Sequence, residues 1–167
     1  MENSTIEEAV QRGNFVIHPH GVSMWPMVRN GVDSLVINPV EGRLKKYDIP
    51  LYKDNRGRYV VHRIIKVTEE GYVICGDGLY EIEYDITDKN IIGVVTGYFR
   101  KEKYCSCDDK NYLRYVHFWV DNFYLRKPII WTVRRIRSAK NRIKEYAYRL
   151  RYGKGKYENV QKKDNNG

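Results

Sequence analysis

Between Asn14 and Arg100 the sequence is cut into short β-rich runs by turn signals, and this spacing narrows the fold class more than any other feature. The runs are Phe15–His18, Ser34–Ile37, Ile49–Tyr52, Tyr59–Val67, Tyr72–Cys75 and Ile91–Phe99. They carry the β-branched and aromatic residues that fit a pleated, half-buried surface. Asn55-Arg56-Gly57 and Glu69-Glu70-Gly71 have turn chemistry, so each predicts a hairpin. Several short strands at this spacing predict a small, mainly antiparallel β-domain over residues 14–107.

The two ends have a different texture. Ser4 or Thr5, each with an acid three residues on, predicts a capped helix within residues 1–13 that stops at Gly13. After Cys107, Tyr112, Tyr115, Trp119 and Phe123 recur at three- and four-residue spacing, as on one face of a helix. Pro128 is expected to interrupt that helix. Ile129, Val133, Ile136, Ile143, Ala147 and Leu150 then form a second stripe of helical period. Residues 108–152 therefore read as a basic amphipathic helical region, and 153–167 as a flexible polar tail.

Charge is concentrated in that second stripe. The chain of 167 residues has 30 Lys plus Arg against 21 Asp plus Glu, net +9. Residues 126–156 hold 12 of the basic residues and one acid, Glu145, so the remainder is close to neutral. Three readings fit the segment: a solvated basic face, an interfacial helix on anionic lipid, or a phosphate-binding face for nucleic acid. The lipid reading is preferred, with Trp119, Trp131, Tyr146 and Tyr148 as interfacial aromatics. Nucleic acid is disfavoured, because no helix-turn-helix precedes the β-region.

At 42% hydrophobic, the composition excludes wholesale disorder. The polar N-terminus lacks the apolar core of a signal peptide. A spanning helix needs about 20 mostly apolar residues. The longest apolar-looking stretch, Tyr115 to Trp131, is broken by five polar or charged residues, so a cytoplasmic or membrane-peripheral location is expected. Cys75, Cys105 and Cys107 make no four-ligand zinc pattern. His18 and His20 read as surface strand histidines rather than metal ligands. No metal and no cofactor is expected.

Three short motifs carry chemistry. Ser23 lies in His20-Gly21-Val22-Ser23-Met24-Trp25-Pro26-Met27, between a glycine turn and a proline that restrains Trp25. Taken alone, a turn serine is the commoner reading. His62 interrupts the apolar run Tyr59-Val60-Val61-His62-Arg63-Ile64-Ile65, where a buried structural histidine is the bland alternative. Cys75-Gly76-Asp77-Gly78 reads as a turn and is followed by Glu81, Glu83 and Asp85.

In this order the motifs resemble the signal peptidase I superfamily of serine peptidases, which includes the self-cleaving repressor peptidases. The likeness covers roughly residues 15–99. It rests on Ser23-Met24-Trp25-Pro26, residues 31–37, residues 46–52, Val61-His62-Arg63-Ile64 and Cys75-Gly76-Asp77, with Ile91–Val95 as the closing strand. The chain looks most like a compact bacterial branch without an anchor. The resemblance implies a coiled antiparallel β-fold with the site in a groove at its edge. Ser23 matches the nucleophile. His62 stands where the common bacterial enzymes and the repressors have a lysine, as in the archaeal and endoplasmic-reticulum type. The implied activity is a serine endopeptidase cleaving a leader, signal or propeptide bond in a peptide or protein substrate.

The residue chemistry agrees with that assignment. A serine hydroxyl attacks only when a base takes its proton, and neutral imidazole suits the task. Two acids are candidates to orient His62: Asp77, in the motif-matching Gly-Asp pair, and Glu83, six residues on, where the resemblance implies the second acid of the His-type relatives. Glu83 is preferred, with Asp77 as a nearby structural or electrostatic acid. Glu81 and Asp85 read as solvated charges. Many relatives carry Ser or Thr two residues before the nucleophile to help hold the oxyanion. This chain has Gly21 there, which leaves backbone amides, that of Ser23 first, and raises the alternative of a weak or inactive peptide-binding module. A repressor-type regulator is disfavoured by His62 and by the 14 residues that precede the β-region.

Overall fold

A computed structural model describes residues 5–152, so Ser4 and the expected tail at 153–167 lie outside the described residues. Thr5 is the N-cap of α1 (Ile6–Gln11): its hydroxyl accepts from the Glu8 amide, and the Glu8 carboxylate accepts from the Thr5 amide. Nine strands follow among the described residues: β1 (Phe15–Ile17), β2 (Asp33–Asn38), β3 (Pro50–Lys53), β4 (Tyr59–Val61), β5 (Arg63–Val67), β6 (Tyr72–Cys75), β7 (Glu83–Ile86), β8 (Ile91–Arg100) and β9 (Lys103–Ser106). Two helices close the described chain, α2 (Lys110–Asp121) and α3 (Phe123–Tyr152). The protein is mainly β with C-terminal helices, in two antiparallel sheets.

The larger sheet runs β1-β2-β8-β3-β4, with β9 added to β8, and it curls into a half-barrel. The smaller sheet is β5-β6-β7. Both expected hairpins form: β3 turns into β4 around Asp54–Gly57, and β5 into β6 around Glu69–Gly71. One core cluster joins Leu35, Ile37, Leu51 and Val95 of the large sheet to Met24, Met27 and Val28 of the serine-bearing segment. A second cluster gathers Tyr52, Ile64, Tyr72, Ile74 and Ile86 between the sheets.

The sequence pattern and the structure differ at four places. The run Tyr59–Val67 is two strands, because the chain leaves one sheet at Val61, paired with Leu51, and enters the other at Arg63, paired with Cys75. Strands β7 and β9 escape the pattern. The first is half acidic, and the turn before the second has Lys101 at φ +59° where a glycine would have signalled it. Pro128 does not stop the helix: the break falls at Asn122, and α3 runs through the proline. Pro128 lies near the start of α3, where its missing N–H forfeits one early bond. Finally, the first compact unit runs to Arg126 rather than ending at Cys107, because Tyr112, Val116 and Val120 of α2 belong to its core. The second unit, from Lys127, is described as far as Tyr152 and is helical throughout that span. No helix among the described residues is long and apolar enough to cross a membrane.

Candidate functional site

The change of sheet puts His62 at a joint. It lies between β4 and β5, is 8% exposed, and faces Tyr52 of β3 and Glu83 at the start of β7. The Glu83 carboxylate is 2.7 Å from His62 Nδ1. The Tyr52 hydroxyl donates to Glu83 at 2.9 Å and lies 3.2 Å from Nδ1. The hydrogen bond from His62 holds the Glu83 carboxyl below its ordinary range, outweighing burial, with Tyr52 adding to the effect. Burial and the adjacent Glu83 push the Tyr52 phenol upward, so it stays a donor. An ionised carboxylate only accepts, so Nδ1 carries a proton, and in the neutral ring this tautomer leaves the lone pair on Nε2.

The serine segment lies against the loop that follows β6. Gly78 N–H donates to the Ser23 carbonyl at 2.7 Å. A Cβ on Gly78 would fall 2.3 Å from the Val22 carbonyl oxygen and 2.9 Å from that of Trp25. A Cβ on Gly76 would fall 2.5 Å from the Ser23 carbonyl oxygen and 3.1 Å from His62 Cδ2. Both glycines are therefore required by close approach, not by turn geometry alone. Across Gly76, the Ser23 backbone and the Cδ2–Nε2 edge of His62 are neighbours, while Glu83 holds the Nδ1 edge. Among the described residues, the Ser23 amide and hydroxyl have no hydrogen-bond partner.

Ser23 also borders a cavity of about 220 Å³. Ile17 of β1 lines it together with Val61 of β4, the two edge strands of the curled sheet, and Met24 and Leu51 complete an apolar wall.

Asp77 serves a different purpose from Glu83. It is fully buried and forms a two-point ion pair with the fully buried Arg63, at 2.8 and 2.6 Å. Tyr115 also donates to it at 3.0 Å. Arg63, which carried no role in the sequence reading, is a hub. It further donates to the Tyr47 carbonyl, the Tyr112 hydroxyl and Met27 Sδ, at 2.9, 2.9 and 3.2 Å. It thus ties β5, the Gly76–Gly78 loop, α2 and the serine segment together. Arg126 fixes the same loop by donating to the carbonyls of Gly76, Asp77 and Leu79. Trp119 donates to the Asp77 carbonyl at 2.9 Å. After the serine, buried Asp33 accepts from the Arg29 amide and guanidinium, anchoring the segment to β2.

Of the remaining sequence candidates, His20 and Gly21 line the same cavity as Ser23, and none bonds to His62 or Glu83 among the described residues. Gly21 has φ +94°, open space where a Cβ would stand, and an amide engaged by Asn30, so position 21 offers neither a side-chain donor nor a free N–H. His18 Nδ1 is 2.9 Å from the Ser34 hydroxyl. His20, Glu81 and Asp85 are exposed. Tyr52, Arg63 and Arg126 are residues that motif reading missed. Comparison with family models, curated proteins and solved structures finds no match to this chain.

Proposed function

We propose that this chain is a serine endopeptidase in which Ser23 attacks a peptide bond, His62 takes its proton and Glu83 orients His62. The observation that carries the reading is the Glu83–Nδ1 hydrogen bond on one edge of the imidazole, with the Ser23 carbonyl oxygen and His62 Cδ2 both close beside Gly76. Glu83 would hold the tautomer that leaves Nε2 basic and stabilise the imidazolium formed on attack. The proton taken by His62 then goes to the leaving amine, and water hydrolyses the acyl-Ser23 by the reverse roles. The free Ser23 amide is the leading donor to the oxyanion. The cavity between the edge strands suits a small apolar side chain next to the scissile bond, and an extended peptide can pair with an open sheet edge. The motif resemblance points to a leader, signal or propeptide bond as the substrate.

A second reading keeps the fold and loses the chemistry: a peptide-binding module. The open, side-chain-free position 21 favours it, since losing one oxyanion donor typically costs about 10²–10³ in rate. The two separate when the full chain is incubated with a degenerate mixture of unstructured peptides and the products are read by mass spectrometry. Cleavage by the parent chain, absent in Ser23→Ala and His62→Ala, supports the peptidase. Binding without cleavage by all three supports the module.

A further inference from the structure

Helix α3 continues for 21 residues, Trp131 to Arg151, in which every residue is at least partly exposed. At 1.5 Å per residue this is about 30 Å of helix. Its aliphatic residues are not scattered. Ile136, Ile143 and Leu150 repeat at seven-residue spacing, and with Val133 and Ala147 they fall in an arc of about 100°. Ile136 is 51% exposed, Ile143 67% and Leu150 71%, so this stripe faces water. Arg137 and Lys144 border it on one flank, Lys140 and Arg151 fall just inside that edge of the arc, and Arg135 and Arg142 lie toward the other flank. From Lys127 to Tyr152 the only acid is Glu145, which is ion-paired with Arg149. Tyr146 is 66% exposed at the edge of the stripe, and Trp131, stacked under Arg135 at 4.8 Å, is 55% exposed.

We infer that α3 is a docking surface for an anionic lipid bilayer, lying in the interface with the Ile136–Ile143–Leu150 stripe in the acyl boundary and the flanking cations among the headgroups. Charge complementarity selects an anionic surface. The aliphatic stripe selects lipid over nucleic acid, because phosphate contacts would leave three large aliphatic side chains in water. Lys and Arg beside the stripe can bury their methylene stems while their charges stay at headgroup level. The helix is too polar to cross the bilayer, so it lies on it. This inference is independent of the peptidase proposal.

The test is co-flotation of the full chain with vesicles of phosphatidylglycerol and phosphatidylcholine in equal parts, against vesicles of phosphatidylcholine alone. The parent chain is expected to float with the first and not the second. Lys140→Gln/Lys144→Gln should weaken binding roughly 25-fold, at about 5-fold per cation near the surface. Ile136→Ser/Ile143→Ser/Leu150→Ser should weaken it at least about 10-fold while circular dichroism shows the fold retained, since all three side chains are exposed. No preference for phosphatidylglycerol overturns the inference, as does a serine triple variant that binds like the parent. Tighter binding to a random-sequence DNA duplex than to the anionic vesicles, unchanged in the serine triple variant, overturns it in favour of nucleic acid.

Discussion

Replacing Arg63 by methionine removes the centre of a fully buried polar cluster. Five contacts go at once: two to Asp77, and one each to the Tyr47 carbonyl, the Tyr112 hydroxyl and Met27 Sδ. The Asp77 carboxylate stays at 0% exposure with the Tyr115 hydroxyl as its remaining side-chain donor. Breaking one partner of a buried ion pair costs about 3–5 kcal/mol, because the other charge is left uncompensated. Against a total stability of about 5–15 kcal/mol the fold becomes marginal. At about 2–4 °C per kcal/mol for a chain of this size, the melting temperature should fall by about 6–20 °C. Urea unfolding followed by tryptophan fluorescence measures the free-energy loss and a thermal melt the shift in midpoint, with Trp119 bonded to the Asp77 carbonyl as a reporter inside the cluster. The double variant Arg63→Met/Asp77→Leu removes both charges and should be less destabilised than the sum of the single variants, by about 1–3 kcal/mol. A loss under about 1 kcal/mol in Arg63→Met, or additivity within about 0.5 kcal/mol, would refute the keystone role.

Three further outcomes are expected. Glu83→Gln should slow labelling of Ser23 by an acylating probe by up to about 10⁴, the scale for losing the acid that fixes a catalytic histidine's tautomer. Its stability cost should be full at neutral pH and vanish in acid: a carboxyl held below 4.5 stabilises the fold above that pH, and the contribution is lost as pH falls through the lowered native value. Acid-unfolding curves of parent and variant that stay parallel down to pH ~2 would contradict this. Gly78→Ala drives a methyl into the Val22 carbonyl and should cost about 1–3 kcal/mol by denaturant melt, with loss of Ser23 labelling in the protein that remains folded. Burial pushes the Cys75 and Cys107 thiols up to about 11, so both should resist iodoacetamide at neutral pH in the native chain and react quickly in urea. Fast native alkylation of Cys75 would mean that the sheet around β6 is open.

The β-class, both hairpins and the capped first helix are legible in the sequence because they rest on local chemistry: Asn55-Arg56-Gly57, Glu69-Glu70-Gly71 and the Thr5–Glu8 box. His62 is conspicuous as a titratable side chain in an apolar run, and Glu83 is marked by its place six residues after Asp77, where the motif resemblance implies a second acid. Tyr52 had no such mark, since a tyrosine in a strand is ordinary. Arg63 looks like any solvated charge until Asp77, Tyr47 and Tyr112, which are 14, 16 and 49 positions away, close around it. Gly76 and Gly78 read as a turn because the backbones that crowd them come from Val22 to Trp25, far upstream. The division of Tyr59–Val67 was equally invisible, because which sheet a strand joins depends on its partners and not on its own pattern.

The proposed role of Ser23 can be measured on the intact protein by reaction with a fluorophosphonate, read as added mass and located by peptide mapping. A single adduct on Ser23 is expected in the parent chain, with none in Ser23→Ala, none in His62→Ala and a much slower one in Glu83→Gln. An adduct that forms at the same rate in His62→Ala, or that maps to a residue other than Ser23, would contradict the account.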